Sequence, residues 1–302
     1  MLLASIDIGT NSTRFLLAEV NGGTVTALKS GLLTTRLGQG INHGRLLPEA
    51  MERTVLAIEA FLKEIGPFHP RGIIAAATSA VRDAANREEF LRLTRQRTGL
   101  EVVVLSGERE AAASYRGVLA GLPIAAGSSM VLDVGGGSTE MIWFGQEGVR
   151  YVSLPVGAVR MTEGGHTEEQ IRELLASALG EVKSRQGKDL DLSLVAVGGT
   201  ATTLGAMSLQ LAQYRPERVH GCFLPLPEIE RLLAMLVAAG PEGRKKIVGL
   251  QPERADIILA GVTIVKIVLQ SLNLKGLTVS ESDLLHGLVW ELAQQLSKQK
   301  MV

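Results

Sequence analysis

A seven-residue phrase that occurs twice contains the groups that a phosphate site needs. One copy runs from Asp7 to Thr13 (DIGTNST) and the other from Asp133 to Thr139 (DVGGGST). Glycines let the backbone approach a ligand closely, and successive N–H groups in such a turn form a concave nest for anionic oxygens. Serine and threonine add hydroxyl donors, and the aspartate offers oxygens to a hydrated divalent cation. Two such turns predict two halves that close on one phosphorylated ligand.

Two further phosphate-binding elements follow apolar runs. Gly198-Gly199-Thr200 comes directly after the run 193–197. A helix that begins near residue 201 would direct its positive N-terminal end at whatever these glycines bind. Arg82 lies just beyond the run 72–77, and ligands of open α/β sheets gather outside the carboxyl ends of strands. A guanidinium there can bind phosphate in a bidentate manner, although an arginine that merely begins a solvated helix has the same sequence.

Several carboxylates lie close to these elements. Glu110 is in the first turn of a predicted helix. An acidic residue there could serve catalysis, or it could simply be favoured by the helix dipole. Glu108 must point to a different side of that helix. Asp133 follows a fully apolar run, so its charge needs a divalent cation, N–H donors or its own turn as compensation. Glu140 lies directly beyond the same turn. The five histidines are scattered without the spacing of metal ligands.

The elements that must position these residues follow from the apolar runs and the breakers between them. Strands are predicted at about 2–8, 13–20, 24–31, 72–77, 101–105, 129–134, 139–145, 149–155, 193–197 and 276–280. Helices are predicted at about 48–65, 86–99 (with Asn86 as the cap), 107–120, 167–185, from 201, 227–239, 252–271 and 282–298. Strands outnumber what an all-helical protein allows, and helices separate the later strands. The predicted class is α/β with mixed sheets.

Length and composition limit the remaining choices. The 302 residues fit two domains of about 150 each, and the breaker Gly121-Leu122-Pro123 places the boundary between domains 1–122 and 123–302. Lys+Arg and Asp+Glu both number 31, which argues against a general nucleic-acid binder. Cys222 is the single cysteine, so an intramolecular disulfide and a cysteine zinc site are excluded. No membrane-spanning run or secretory signal is evident, which predicts a soluble, cytoplasmic protein.

Taken together, the motifs resemble one family, the exopolyphosphatase and guanosine pentaphosphate phosphatase family. The matching phrases are DIGTNSTR at 7–14, ATSAVR at 77–82, LSGEREA at 105–111, LDVGGGSTE at 132–140, LPVGAVR at 154–160, VGGT at 197–200 and RAD at 254–256. The resemblance spans nearly the whole chain and is to the short form of the family. It implies two actin-like domains (sugar-kinase-like, ribonuclease H-like) that flank a central cleft, with a final helix at about 282–302 that crosses back to the first domain.

The resemblance also implies roles for individual residues. Glu110 matches the carboxylate that activates the attacking water. Asp133 and Glu140 match metal-associated carboxylates, and Asp7 is added as the corresponding acid of the first turn. The cofactor implied is Mg²⁺, with Mn²⁺ as another divalent candidate. The phosphate-binding positions are Thr10, Asn11, Ser12, Arg82, Gly135, Gly136, Gly137, Ser138, Gly198, Gly199 and Thr200.

The function implied is exopolyphosphatase activity, the metal-dependent release of the terminal phosphate of linear polyphosphate. Removal of the 5′ terminal phosphate of guanosine pentaphosphate on the same site is the alternative. From other classes, a sugar or acid kinase of this fold and a non-hydrolytic, filament-forming or nucleotide-binding protein of the actin type stay open. No nucleic-acid or membrane partner is expected, and a homodimer is left open.

Overall fold

A computed structural model of the chain describes residues 1–124, 129–145, 148–185 and 193–299. The chain divides into two compact units. The first unit contains Met1–Gly121 together with the chain from Ser282 onward, and the second contains Leu122–Glu281. Within the described ranges, no helix is long and apolar enough to cross a membrane.

The first unit contains five strands and five α-helices among its described residues. The strands are β1 (Leu2–Ile8), β2 (Thr13–Asn21), β3 (Thr24–Leu33), β4 (Ile73–Ala77) and β5 (Val102–Val104). The helices are α1 (Pro48–Ile65), α2 (Ser79–Arg82), α3 (Arg87–Thr98), α4 (Gly107–Gly121) and, from the end of the chain, α11 (Leu284–Gln299). Single 3₁₀ turns lie at Ile41–His43 and Gly66–Phe68.

The sheet of the first unit is mixed and has the order β3-β2-β1-β4-β5. The strand β1 pairs antiparallel with β2 and parallel with β4, and β5 continues the parallel side. Alternation along β1 directs Ile6 and Ile8 to a core shared with α1 and α3, while Leu3 faces α11. Asp7 lies on the Leu3 side by the same alternation. Because β1, β4 and β5 run in one direction, the segments that follow them meet at one edge of the sheet.

The last helix closes the second face of this sheet. Helix α11 packs on β1, β2 and β4 and runs alongside α4. Two glycines make this close approach possible: a Cβ on Gly117 would lie 1.9 Å from the carbonyl oxygen of Asp283, and a Cβ on Gly287 would lie 1.9 Å from that of Ala113. The ion pairs of Glu291 with Arg109 and Arg116 add charge contacts between the same two helices.

The second unit contains six strands and six α-helices among its described residues. The strands are β6 (Ser129–Val134), β7 (Thr139–Gly145), β8 (Gly148–Leu154), β9 (Ser193–Val197), β10 (Phe223–Pro225) and β11 (Gly276–Val279). The helices are α5 (Ala158–Glu163), α6 (Glu168–Arg185), α7 (Gly198–Ser208), α8 (Pro216–Val219), α9 (Leu226–Arg244) and α10 (Ile258–Ser271). A 3₁₀ turn lies at Pro252–Arg254.

The second sheet repeats the pattern of the first. Its order is β10-β11-β9-β6-β7-β8, in which β6, β7 and β8 pair antiparallel while β6, β9 and β11 run parallel. Alternate residues of β6, Met130, Leu132 and Val134, join the aliphatic core formed with the surrounding helices. Asp133 therefore lies on the opposite face of the sheet. The segments that follow β6 and β9 again meet at one sheet edge.

The predicted strands and long helices are confirmed, and the differences have local causes. Helix α7 begins at Gly198 rather than near 201, and α9 extends to Arg244 through a break at Gly240, whose φ of 64° is left-handed. The predicted helix at 252–271 is a 3₁₀ turn followed by α10. The short elements α2, α5, α8 and β10 were not predicted, because each is too brief to show periodicity.

Asn86 is the N-cap residue of α3, as predicted, but its side chain makes no capping hydrogen bond. Instead its Oδ1 accepts from the Leu46 N–H at 2.9 Å and its Nδ2 donates to the Leu46 carbonyl at 3.0 Å. The side chain thus hydrogen-bonds the backbone of Leu46 in a buried loop rather than the free N–H groups at the start of the helix.

Candidate active site

The first turn is closed by its own backbone. The Gly9 N–H donates to the Ser12 carbonyl at 3.0 Å, and Thr10, Asn11 and Ser12 are all buried. The Thr10 and Ser79 hydroxyls are 3.0 Å apart, which joins the turn after β1 to the helix α2 after β4. The predicted phosphate-binding residues of this turn therefore lie beside the segment that carries Arg82.

The loop after β3 holds the outer side of this turn. The Arg36 N–H donates to the Asn11 carbonyl and the Gly38 N–H to the Thr10 carbonyl, both at 2.8 Å. A Cβ on Gly38 would lie 2.2 Å from Cγ2 of Thr10, so only glycine allows this approach. Arg36 adopts a left-handed φ of 49°, a backbone conformation that residues other than glycine seldom adopt. The loop thus supplies backbone N–H donors to the carbonyls of the turn.

Arg82 and Glu110 contact each other directly. Nη1 of Arg82 donates to Oε2 of Glu110 at 2.7 Å and to the Leu105 carbonyl at 3.1 Å. Glu110 is 7% exposed, whereas Glu108, in the same helical turn, is exposed. The predicted phosphate clamp and the predicted base are thus ion-paired partners. Nε of Arg82 also lies 3.8 Å from Oδ1 of Asp83.

Asp7 belongs to a buried ionic triad. Nε and Nη2 of Arg14 donate to Oδ2 of Asp7 at 3.1 and 2.6 Å, and Nη1 of Arg14 donates to Oδ2 of Asp283 at 2.5 Å. Burial raises the pKa of the Asp7 carboxyl above its ordinary value, and the nearby Arg14 opposes this rise without cancelling it. Burial disfavours the charged guanidinium as well, but the two carboxylates outweigh it and raise the pKa of Arg14. Arg14 is therefore a permanent cation.

The second turn has the same backbone closure and a helix as its support. The Gly135 N–H donates to the Ser138 carbonyl at 3.0 Å, as in the first turn. Backbone N–H groups at the start of α5 hold the turn in place. Those of Ala158 and Val159 donate to the Gly135 and Gly136 carbonyls at 2.9 and 2.8 Å, respectively. The side chain of Arg160 completes this support, because its Nε donates to the Gly137 carbonyl at 2.9 Å.

Asp133 and Glu140 form a cross-strand pair on one face of the second sheet. They are direct partners in the antiparallel register of β6 and β7, so their side chains leave the sheet on the same side. Oε1 of Glu140 also accepts a hydrogen bond from the Ser153 hydroxyl at 2.7 Å. Two adjacent carboxylates repel each other unless positive charge or a proton is present. This pair fits Mg²⁺, which proteins bind through one or two carboxylates while water and phosphate oxygens complete the octahedron.

The third glycine-rich segment lies against the same carboxylate. Gly198 has a left-handed φ of 79°, and a Cβ there would lie 2.8 Å from Oδ1 of Asp133. The next glycine lies against an arginine: a Cβ on Gly199 would lie 1.9 Å from Nη1 of Arg254, so this side chain would have to move. Thr200 is buried and donates to the Val134 carbonyl at 3.4 Å. A positive helix end and a buried guanidinium thus stand beside the acidic pair.

The predicted residues therefore form one cluster in each unit. Asp7 lies with the first cluster and the pair Asp133 and Glu140 with the second. Over the described ranges, no three His, Cys, Asp or Glu side chains are grouped so as to hold a metal ion. The roles assigned to all of these residues remain predictions. The sequence analysis did not assign site roles to Ser79, Gly157, Arg160 and Asp283. The first three lie within the phrases that match the family, whereas Asp283 carried no signal.

A family model identifies the chain. The model of the Ppx/GppA phosphatase family matches residues 16–296. The chain belongs to this family. It is 32% identical to Exopolyphosphatase 2 of Mycobacterium tuberculosis, with 96% of this chain and 98% of that protein covered. It is 30% identical to the guanosine-5′-triphosphate,3′-diphosphate pyrophosphatase of Vibrio cholerae, where it spans 60% of the relative.

Other relatives include longer proteins and solved structures. The bifunctional 3-dehydroquinate synthase/phosphatase of Fusobacterium nucleatum is 32% identical, and this chain spans 46% of its length. A crystal structure of the Aquifex aeolicus family member is 33% identical with a TM-score of 0.80, covering 98% of each chain. An exopolyphosphatase structure from Cytophaga hutchinsonii is 25% identical with a TM-score of 0.88, also over 98% of each chain. The predicted family and its actin-like, two-domain α/β fold are thereby confirmed.

Proposed function

We propose that the protein is an exopolyphosphatase that hydrolyses the terminal phosphoanhydride bond of linear polyphosphate with the help of Mg²⁺. The observation that carries the proposal is the Arg82–Glu110 pair, a buried carboxylate bound to a guanidinium at the sheet edge where the first turn lies. The match with Exopolyphosphatase 2 over nearly the full length of both proteins supports the choice of substrate.

The reaction needs positioning and charge stabilisation more than covalent chemistry. The water oxygen attacks the terminal phosphorus in line, the anhydride P–O bond breaks, and its electron pair stays on the oxygen of the shortened chain. Glu110 accepts the proton of the attacking water. Arg82 and the N–H groups of the first turn bind the non-bridging oxygens, whose negative charge must be compensated in the transition state.

The Arg82–Glu110 contact links substrate binding to base strength. A phosphate that binds Arg82 competes with Glu110 for the guanidinium. Since a nearby positive charge favours the ionised form of a carboxyl, a weaker contact makes Glu110 a stronger base. We therefore expect the base to become most effective when the clamp is occupied.

The acidic pair is the proposed metal site. Asp133 and Glu140 would hold Mg²⁺, and Mn²⁺ could replace it; Asp7 is the corresponding candidate carboxylate of the first turn. When bound, the ion supplies positive charge to the phosphate oxygens and orients them. The chain's own residues hold these carboxylates in place through the Ser153 hydroxyl and the register of β6 and β7.

Guanosine pentaphosphate is the second candidate substrate. The Vibrio cholerae relative supports it, and the bond broken is again a terminal phosphoanhydride. Phosphate release from long-chain polyphosphate, guanosine pentaphosphate and ATP, each with Mg²⁺ or with EDTA, ranks the candidates. Release from none of them would refute the proposed function.

The role of Glu110 has its own test. Glu110→Gln keeps the size of the side chain but removes the base, so turnover should fall by about 10²–10⁴-fold. The matched control is Glu108→Gln, because Glu108 is exposed in the same turn of α4 and should be neutral. Near-normal turnover of Glu110→Gln with a normal metal requirement would show that Glu110 is not the base.

A further inference from the structure

The segment that begins the last helix reaches the first turn through a single arginine. Asp283 precedes α11 and binds Nη1 of Arg14, whose other nitrogens bind Asp7. The Asp7 and Asp283 side chains are 7% and 5% exposed, so these charges interact with little screening by water. Two carboxylates therefore share one guanidinium at the base of the turn.

This sharing leaves one oxygen of Asp7 unused. Both contacts from Arg14 go to Oδ2, whereas Oδ1 is buried and has no hydrogen-bond partner among the residues that the structure describes. A buried carboxylate oxygen without a partner is costly. Coordination of a cation, directly or through its water, would compensate it.

Asp283 itself is held firmly. Its Oδ1 accepts the N–H of Leu285 at 3.0 Å and so caps the start of α11, while its backbone packs on Gly117. The hydroxyl of Ser5 in β1 donates to the Leu285 carbonyl at 2.9 Å, which ties the same helix end to the strand that carries Asp7. The position of Asp283 relative to Asp7 is thus determined by the packing of α11 on β1.

We propose that Asp283 is a positioning residue for the cation site of the first turn: it keeps Arg14 from binding both oxygens of Asp7 and so keeps Oδ1 available to the metal. Without the charge of Asp283, the guanidinium is free to form a two-pronged contact with Asp7 and to occupy Oδ1. The inference rests on the proposed function, since it assumes that Asp7 serves a divalent cation.

The test is a titration of Mn²⁺, followed by electron paramagnetic resonance without substrate, on wild type and Asp283→Asn. Asparagine retains an oxygen that can cap α11 but loses the charge that holds Arg14. Because partners behind a metal ligand typically contribute about 10–100-fold to metal affinity or activity, Mn²⁺ affinity should fall by about that factor. The Mg²⁺ concentration for half-maximal phosphate release should rise in parallel. If Asp283→Asn fails to fold, Asp283→Ser, which also caps a helix, takes its place.

Two controls separate positioning from general damage. In an Arg14→Gln background, Asp283→Asn should change Mn²⁺ affinity by less than about twofold, because the guanidinium through which Asp283 acts on Asp7 is absent. Glu291→Gln, which removes other ion pairs of α11, should leave Mn²⁺ affinity unchanged. Unchanged Mn²⁺ affinity in Asp283→Asn, or an equal loss in both backgrounds, overturns the inference alone. A wild-type protein without divalent-cation dependence overturns the proposed metal requirement as well.

Discussion

Replacement of Gly157 by alanine should displace the second glycine-rich turn. Gly157 has an ordinary extended backbone, so the conformation itself accepts alanine. The methyl group would, however, lie 2.5 Å from the carbonyl carbon and oxygen of Gly136 and from the nitrogen of Ser138. These are backbone atoms of the turn and cannot rotate away as a flexible side chain can. Since ordinary contacts begin near 3.4 Å, the turn or helix α5 must move by about 1 Å.

This displacement should lower both the stability and the turnover of the protein. Overpacking of this kind typically costs about 1–3 kcal/mol, and each kcal/mol lowers the Tm of a domain of this size by about 2–4 °C. A misplacement of about 1 Å near reacting groups lowers turnover by about 10²-fold. Phosphate release and thermal unfolding, measured on the same preparation, give both quantities.

The matched control is Gly180→Ala. Gly180 lies on the exposed side of α6 in the same unit, with no atom within 4 Å of the added methyl group. Alanine there should stabilise the helix by about 0.5–1 kcal/mol and leave turnover unchanged. If Gly157→Ala matched Gly180→Ala in both Tm and turnover, the turn would not depend on the contact with Gly157, and the reasoning would be refuted.

Two further predictions concern stability. Asn86→Ala leaves the buried N–H and carbonyl of Leu46 without partners and should cost about 1–3 kcal/mol for each in urea unfolding; a loss below about 1 kcal/mol in total would contradict this. The hydrogen bond from Lys266, with that from Arg172, holds the pKa of Glu168 below its ordinary value. The ionised Glu168 therefore stabilises the fold above the ordinary glutamate pKa of about 4.3, and this contribution is lost as the pH falls through the lower folded value. Thermal unfolding across pH should show Glu168→Gln less stable than wild type at pH 7 and equal to it in acid, whereas a pH-independent difference would contradict the assignment.

Local chemistry could be read from the sequence because it depends on neighbours along the chain. Apolar runs, breakers and glycine-rich phrases predicted the strands, the long helices and the positions of both turns, since strand alternation and turn geometry are short-range steric properties. Elements of three or four residues, such as α2 and β10, were missed for the same reason: they are too short to show a period. Asn86 shows the limit of a local rule, because a residue with the right position for a cap satisfied a distant loop instead.

By itself, the sequence determined the fold class, the family and the positions of the two glycine-rich turns. Only the tertiary structure decided which charged residue from a distant part of the chain joins them. The two turns close with the same hydrogen bond, and each aspartate has a cross-strand neighbour seven residues later, Arg14 opposite Asp7 and Glu140 opposite Asp133. Asp283, however, reaches Arg14 from the segment before α11. The reason is physical: Arg14 and Asp283 are 269 residues apart, and they meet because α11 buries its apolar face on β1 and β2. Such a contact depends on how whole elements pack, which no local pattern encodes.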